Sequence, residues 1–373
     1  MELLSASKTI IVKPASSSCN LRCSYCYNGA EVHHRTKSAV MNLDALALIY
    51  DSLPLLNTKT VKLIWHGGEP LVRGLDFYKT AVILQKELCA KNASLKIDNS
   101  IMTNGTLLND EWIEFFKENG WHVGVSLDGS ADIHNKYRVD AHGNGSFEKV
   151  IQNIEKLKKA GLSIGLIAVV TNNTVENSKP QELYEFLNSI SNNFEISPCW
   201  EASNNGTIPE YVVDPNLFLD YAKTMFDLWW QDDNPRVKIR FFNTLVQGAI
   251  GGKPQSCSFN GTCSHFFAID ADGSVYPCGK FAGIPELLLG NIHETPINEI
   301  LKGDTYQRYL EVANHIPEQC KSCEWYKSCH NGCTFERYVG NGEFTTISPF
   351  CSIWKDAYEY VKTEANKTME TLK

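Results

Sequence analysis

Ser18-Cys19-Asn20-Leu21-Arg22-Cys23-Ser24-Tyr25-Cys26-Tyr27 packs three cysteines into eight residues, spaced C-x3-C-x2-C. A β-rich run at 9–13 precedes it, so the thiols fall on the loop after a first strand. Three thiolates this close can converge on one small inorganic core. A structural zinc site takes four ligands, and a [4Fe–4S] cube normally takes four cysteines. Three leave one iron of a cube open, which is useful where something else must bind it. The competing reading is a structural zinc site closed by a remote ligand such as His33 or His34.

Outward from this loop, β-rich runs alternate with helical periodicity. Strands are predicted at 9–13, 61–65, 95–102, 122–126, 163–170 and 194–197, and helices at 43–53, 74–90, 109–119, 147–160 and 180–189. Six such units, with strands apolar on both faces, predict an α/β fold with a parallel sheet and outer helices. Eight units close a barrel, so six make a partial, open (β/α)6 TIM-like barrel, with its chemistry at the C-terminal strand ends. A helix at 215–231 runs into Gln231-Asp232-Asp233-Asn234-Pro235, which sets the predicted domain boundary: 1–235 for the barrel and 236–373 for a small Cys-rich domain. In the latter, Ala271-Asp272-Gly273-Ser274 reads as a hairpin turn.

The 373 residues suffice for one large and one smaller domain. An apolar fraction of 43% and a charged fraction of 21% exclude wholesale disorder. The charge, 35 − 43 = −8, carries no polybasic run, which argues against a nucleic-acid partner. Thirteen cysteines are an odd number and too sparse for a disulfide scaffold. No secretory signal or membrane span is legible. A cytoplasmic chain using thiols for metal or redox chemistry is expected.

The cysteine loop resembles the signature of radical S-adenosylmethionine enzymes, C-x3-C-x-aromatic-C, with Tyr25 in the aromatic place. The resemblance implies a [4Fe–4S] cluster on Cys19, Cys23 and Cys26, whose open iron takes the amino and carboxylate groups of S-adenosylmethionine. Reductive cleavage then releases a 5′-deoxyadenosyl radical, which abstracts hydrogen from the substrate. Trp65-His66-Gly67-Gly68-Glu69-Pro70 looks like the family's G-G-E-P, with Gly67 and Gly68 approaching the methionine amino group and Glu69 accepting from it. Thr103-Asn104-Gly105-Thr106, Ser126-Leu127-Asp128-Gly129 and Arg138 resemble ribose and carboxylate contacts, carried by Asn104, Ser126 and Arg138. Singly, each also reads as a polar turn or a cap.

Eight further cysteines follow residue 250, and C-x2-C pairs commonly signal zinc ribbons. Their pattern resembles the SPASM extension. That resemblance implies two auxiliary [4Fe–4S] clusters, one on Cys257, Cys263, Cys278 and Cys333 and the other on Cys320, Cys323, Cys329 and Cys351. Three clusters in all are implied, with flavodoxin or ferredoxin as electron donor. Cys89 reads as a core thiol, and Cys199 falls near the barrel mouth. His33, His34, His122 and His293 lack ligand-like spacing and read as surface or satisfied residues.

Two groups of SPASM enzymes are similar over nearly the whole chain, the anaerobic sulfatase-maturating enzymes and the maturases of ribosomally made peptides. In the former, an Asp after the Tyr-Pro-Cys cysteine takes the substrate proton; here that position is Gly279, followed by Lys280. A glycine accepts no proton, so no base is assigned. The Trp65-His66 pair and the 134–147 segment look more like crosslinking maturases. The expectation is therefore a maturase acting on a precursor peptide, forming a C–C cyclophane or thioether crosslink. Formylglycine synthesis from Cys or Ser is the alternative, and a zinc-binding interaction module the remote one.

Overall fold

The computed structural model describes residues 7–28, 40–200 and 208–371. His33 and His34 lie outside the described residues. In chain order come β1 (Lys8–Val12), α1 (Leu43–Ser52), β2 (Thr60–Trp65), α2 (Leu75–Lys91), β3 (Lys96–Thr103), α3 (Asp110–Glu118) and β4 (His122–Ser126). Then follow α4 (Phe147–Lys159), β5 (Ile164–Val170), α5 (Pro180–Ile190), β6 (Asn193–Pro198), α6 (Pro215–Asp232), β7 (Lys238–Ile239) and α7 (Arg240–Ala249). β8 (Phe266–Ile269), β9 (Ser274–Tyr276), β10 (Gly290–Asn291) and α8 (Cys351–Thr371) complete the main elements. The six predicted strands and five helices of the barrel all form, with boundaries within two residues of the expected ones.

The described residues form two compact units. The first takes in Met1–Ser126, Tyr137–Ile164 and Cys263–Glu311; the second takes in Leu127–Lys136, Gly165–Thr262 and Val312–Lys373. In the first, β1 to β4 pair in parallel in sequence order. β8 adds itself parallel to β1, with Thr9 opposite Phe266. β9 turns back antiparallel on β8 through Gly273, at φ +84°. That is the predicted hairpin, and it occupies the far side of β1 from β2. In the second unit, β5, β6 and β7 are parallel, and α7 packs against α8.

Local chemistry explains the helix starts. Asn42 and Asn109 accept from Ala45 N at 2.7 Å and Trp112 N at 3.0 Å, capping α1 and α3. Asp214 accepts from Asn216 N and Leu217 N, with Pro215 at the first position of α6.

The core of the first unit centres on Trp65, the last residue of β2, which is fully buried. Its indole stacks on Trp121 at 5.7 Å, meets Tyr78 edge-on at 5.4 Å, and donates to Asn99 Oδ1 at 2.9 Å. His66 and the glycines that follow leave the core from this anchor. Trp65→Ala should cost about 3–5 kcal/mol through the cavity it opens and the orphaned Asn99 carbonyl. A denaturant titration of the variant checks it.

Candidate functional site

The cysteine loop is clamped on both flanks. Arg22 N donates to Val139 O at 2.7 Å, and Leu21 bridges Asp140. Tyr25 is buried, edge-on to Tyr137 at 6.0 Å, with the Arg138 guanidinium 5.4 Å from its ring centre. The aromatic of the motif therefore packs the loop onto the Tyr137–Arg138 segment. Ser18 N and Cys26 N close turns onto Ala15 O and Cys23 O.

Cys19 Sγ receives Leu21 N at 3.4 Å and Asn104 Nδ2 at 3.7 Å. Burial pushes its thiol up to about 11, so on its own it would stay protonated at neutral pH. A strongly positive iron core reverses that preference, and N–H donors aimed at sulfur are what a cluster ligand uses. Cys19 with these donors suits an iron–sulfur core.

Gly67 and Gly68 have φ +110° and +55°. A Cβ on Gly68 would lie 2.2 Å from Ser18 O, and one on Gly67 would lie 2.5 Å from Lys13 Cε. Only glycine lets this turn lie against the cysteine loop. Glu69 N donates to Ser18 O at 2.8 Å, and His66 N donates to Val12 O at 2.9 Å. The Glu69 carboxylate is fully buried and accepts from Thr103 Oγ1 at 2.7 Å, Asn104 N at 2.7 Å and Leu71 N at 3.0 Å. Burial pushes its carboxyl up to about 7 against the pull of those donors.

Asn104 is shared between Glu69 and the cysteine loop. Its Nδ2 donates to Asn20 Oδ1 at 2.9 Å, and its Oδ1 accepts from Thr106 Oγ1 at 2.6 Å. Asn20 Nδ2 in turn donates to Thr106 Oγ1 at 2.8 Å. Ser126 is half-buried at the end of β4. The structure thus brings Cys19, Tyr25, Gly67, Gly68, Glu69, Asn104 and Arg138 into one connected neighbourhood. Sequence reasoning missed Thr103, Asn20 and Thr106, which sit inside motifs it quoted. Nothing in their type marks them until β1, β2 and β3 are aligned.

Beside this network, Tyr27 Oη lies 2.6 Å from His66 Nε2. Burial, and then the Lys13 ammonium, push the His66 imidazole down to about 4, so it is neutral at pH 7. Lys280 Nζ lies 5.6 Å from the centre of the Tyr27 ring. Gly279 is buried, and a Cβ there would meet Ile11 Cγ2 at 3.1 Å.

None of the thirteen cysteines is in a disulfide. Cys320, Cys323, Cys329 and Cys351 line one small cavity, walled by Trp325 and Tyr358. Burial pushes Cys329 up to about 12 and raises Cys320 and Cys351, while Gly332 N and Asn331 N pull Cys329 back. Four cysteines around one cavity, with N–H donors at Cys329, suit a cluster. Of the other set, Cys263 and Cys278 belong to the first compact unit, Cys257 and Cys333 to the second. Cys89 is half-buried on α2, facing Leu95 O at 3.7 Å, and Cys199 is buried after β6. His122 and His293 are exposed.

The radical SAM superfamily model matches residues 14–187, and an iron–sulfur cluster-binding SPASM model matches 257–324. A cysteine-type anaerobic sulfatase-maturating enzyme of Clostridium novyi is 33% identical over 95% of each chain. The chain belongs to the anaerobic sulfatase-maturating family of radical SAM enzymes. A serine-type member from Bacteroides thetaiotaomicron is also 33% identical, over 88% of this chain and 83% of its own. The solved structure of native anSMEcpe with bound AdoMet and Cp18Cys peptide superposes with a TM-score of 0.87 at 30% identity, covering 98% of this chain and 100% of that one.

The partial-barrel α/β fold with its SPASM extension, and the S-adenosylmethionine and [4Fe–4S] chemistry of a radical enzyme, follow from this membership. A zinc-binding interaction module is set aside. The crosslinking expectation is corrected as well, because the identity to sulfatase-maturating enzymes runs the length of the chain. That expectation gave Gly279, the Trp65–His66 pair and the 134–147 segment more weight than the whole-chain pattern.

For the chain purified without cofactors, Glu69 sets a pH dependence. Its carboxyl rises from 4.5 to about 7 on folding, so its contribution is complete below about 4.5 and lost as pH rises through about 7. The loss is on the order of 3 kcal/mol, and Glu69→Gln should flatten it. Thermal denaturation of both proteins across that window is the check.

Proposed function

We propose that this enzyme oxidises the Cβ of a cysteine or serine side chain in a sulfatase-type peptide to formylglycine. The observation that carries the reading is the 33% identity to a sulfatase-maturating enzyme over 95% of both chains. The similar structure of anSMEcpe with bound AdoMet and Cp18Cys peptide supports a peptide substrate here.

In this reading Cys19, Cys23 and Cys26 hold the radical cluster. Cys257, Cys263, Cys278 and Cys333 hold one auxiliary cluster, and Cys320, Cys323, Cys329 and Cys351 hold the other. The Gly67-Gly68-Glu69 turn frames S-adenosylmethionine together with Tyr25, Asn104, Ser126 and Arg138. The glycines let backbone approach the methionine end closely, as they approach Ser18 O. Glu69 fixes Thr103 and Asn104, so the strand ends facing the ligand are held before it binds. When bound, the cluster and S-adenosylmethionine supply the 5′-deoxyadenosyl radical that removes one hydrogen atom. The division proposed is 1–235 for the barrel and 236–373 for the SPASM domain, with the family spans 14–187 and 257–324 as its support. Flavodoxin or ferredoxin is the electron donor, in the cytoplasm, where cysteines stay reduced. Among the described residues no helix is long and apolar enough to cross a membrane.

Two measurements test the reading. Anaerobically reconstituted enzyme should convert a synthetic C-x-P-x-R peptide to an aldehyde that a hydrazine traps; no adduct, with 5′-deoxyadenosine still forming, would refute the assignment. Replacing Cys19, Cys23 and Cys26 together by Ala should remove about one third of the iron and end 5′-deoxyadenosine formation, since each cube carries about four irons. Iron analysis and chromatography report both.

A further inference from the structure

A cube held by four thiolates is already anionic, and reducing it adds one more negative charge to the same small volume. How readily it takes that electron depends on nearby charge, on N–H donors to its sulfurs and on exposure to water. Around the cavity of Cys320, Cys323, Cys329 and Cys351 the structure supplies both donors and charge. Asn331 N and Gly332 N are directed at Cys329 from a left-handed turn, in which His330, Asn331 and Gly332 have φ +50°, +64° and +68°. The Asn331 side chain braces this turn, accepting from Ser348 N at 2.8 Å and donating to Thr346 O at 2.9 Å. The charge comes from α8. Cys351 is its first residue, and Lys355 stands one turn on along the same face. Lys355 lines the cavity together with the four cysteines, and the other lining side chains, Trp325, Tyr326, Asn331, Ser348 and Tyr358, carry no charge at neutral pH. The acids of this region are paired elsewhere, Glu318 with Lys321 at 2.6 Å and Glu324 with Lys362 at 3.3 Å. Among the described residues Lys355 has no ion-pair partner.

We propose that Lys355 raises the reduction potential of the cluster held by Cys320, Cys323, Cys329 and Cys351, so that this site takes up an electron more readily than its thiolates alone allow. Lys355 touches no reacting atom in this role; it acts on the cluster through its charge. An ammonium beside the sulfurs offsets the negative charge that reduction adds. Trp325 and Tyr358, stacked at 5.3 Å, wall the cavity with aromatic surface, where a charge is felt more strongly than in water. Buried Arg337 adds positive charge on the Cys320 side, but it is engaged by the carbonyls of Ala313 and Phe344 and holds the fold there. Lys355 is exposed and makes no such clasp, so its charge can be changed by itself. One electron enters the cluster in this step, and no bond forms or breaks.

This inference rests on the proposed ligand set and not on the peptide substrate, and the test separates the two. Reconstituted holoenzyme of wild type, Lys355→Gln and Lys355→Arg is assayed for iron. Each is then titrated with dithionite through soluble mediators while the clusters are followed by electron paramagnetic resonance. Wild type should hold about twelve irons, four to a cube. At the wild-type midpoint of one cluster, the ratio of reduced to oxidised form should fall about tenfold in Lys355→Gln, a displacement of about 59 mV to lower potential for one electron. Lys355→Arg should stay at the wild-type midpoint, and the other two clusters should not move. Because the ammonium reaches water, about 1 M salt should close most of the gap between wild type and Lys355→Gln, which a packing role would not do. An unmoved cluster in Lys355→Gln overturns the proposal, as does a rise in potential or an equal displacement of all three. Lys355→Gln that folds with about eight irons assigns Lys355 to holding the site, and overturns it too. If Lys355→Gln does not fold, Lys355→Met decides by the same ratio. Wild type with about eight irons refutes the ligand set, and this proposal with it. No peptide is present, so failure of the formylglycine reading leaves the outcome unchanged.

Discussion

Glu69 is a carboxylate with no exposed surface, and the ends of three strands depend on it. It follows β2, accepts from Thr103 and Asn104 at the end of β3, and its backbone N–H reaches Ser18 in the loop after β1. A buried carboxylate is tolerable only because each donor offsets part of its desolvation. The backbone contact needs Gly68, whose missing Cβ leaves room for Ser18 O. Through Asn104 the same joint reaches Cys19 Sγ. The cysteine loop is thus held by the barrel's own strand ends before any cluster binds.

The second unit meets a different difficulty, since its cysteines sit on short segments that cannot hold themselves. Buried Arg337 donates to the backbone carbonyls of Ala313 and Phe344 and clasps two such segments. Tyr358 of α8 donates to Ser328 O at 2.7 Å, and Ser328 Oγ donates to Gly248 O of α7 at 2.9 Å. A Cβ on Gly248 would stand 2.5 Å from Tyr358 Cε1, so α7 and α8 approach closely only at glycine. This framework fixes the wall of the four-cysteine cavity.

Membership of the sulfatase-maturating family stands beside a glycine at 279, a position whose side chain accepts no proton. The turn carrying Gly279 and Lys280 borders Tyr27, and Tyr27 is bonded to His66. One substituted residue is weaker grounds for the reaction type than identity spread along the chain.

Sequence by itself determined the six-unit alternation, because period-2 and period-3.6 apolar patterns are local properties. It also determined the cysteine loop and the G-G-E-P turn, because thiols at short spacing and glycines at a strand end carry their chemistry in their type. It singled out Glu69 without showing that the carboxylate is filled by Thr103, Asn104 and Leu71, which lie up to 35 residues away. It set His66 down as part of a motif and left Tyr27 unassigned. Only the parallel pairing of β1, β2 and β3 puts the residues after their ends side by side. Likewise, β8 beside β1 was not legible, since a parallel partner more than 250 residues on leaves no local trace. Hydrogen bonds between side chains remote in sequence are set by strand register, and register belongs to the folded chain.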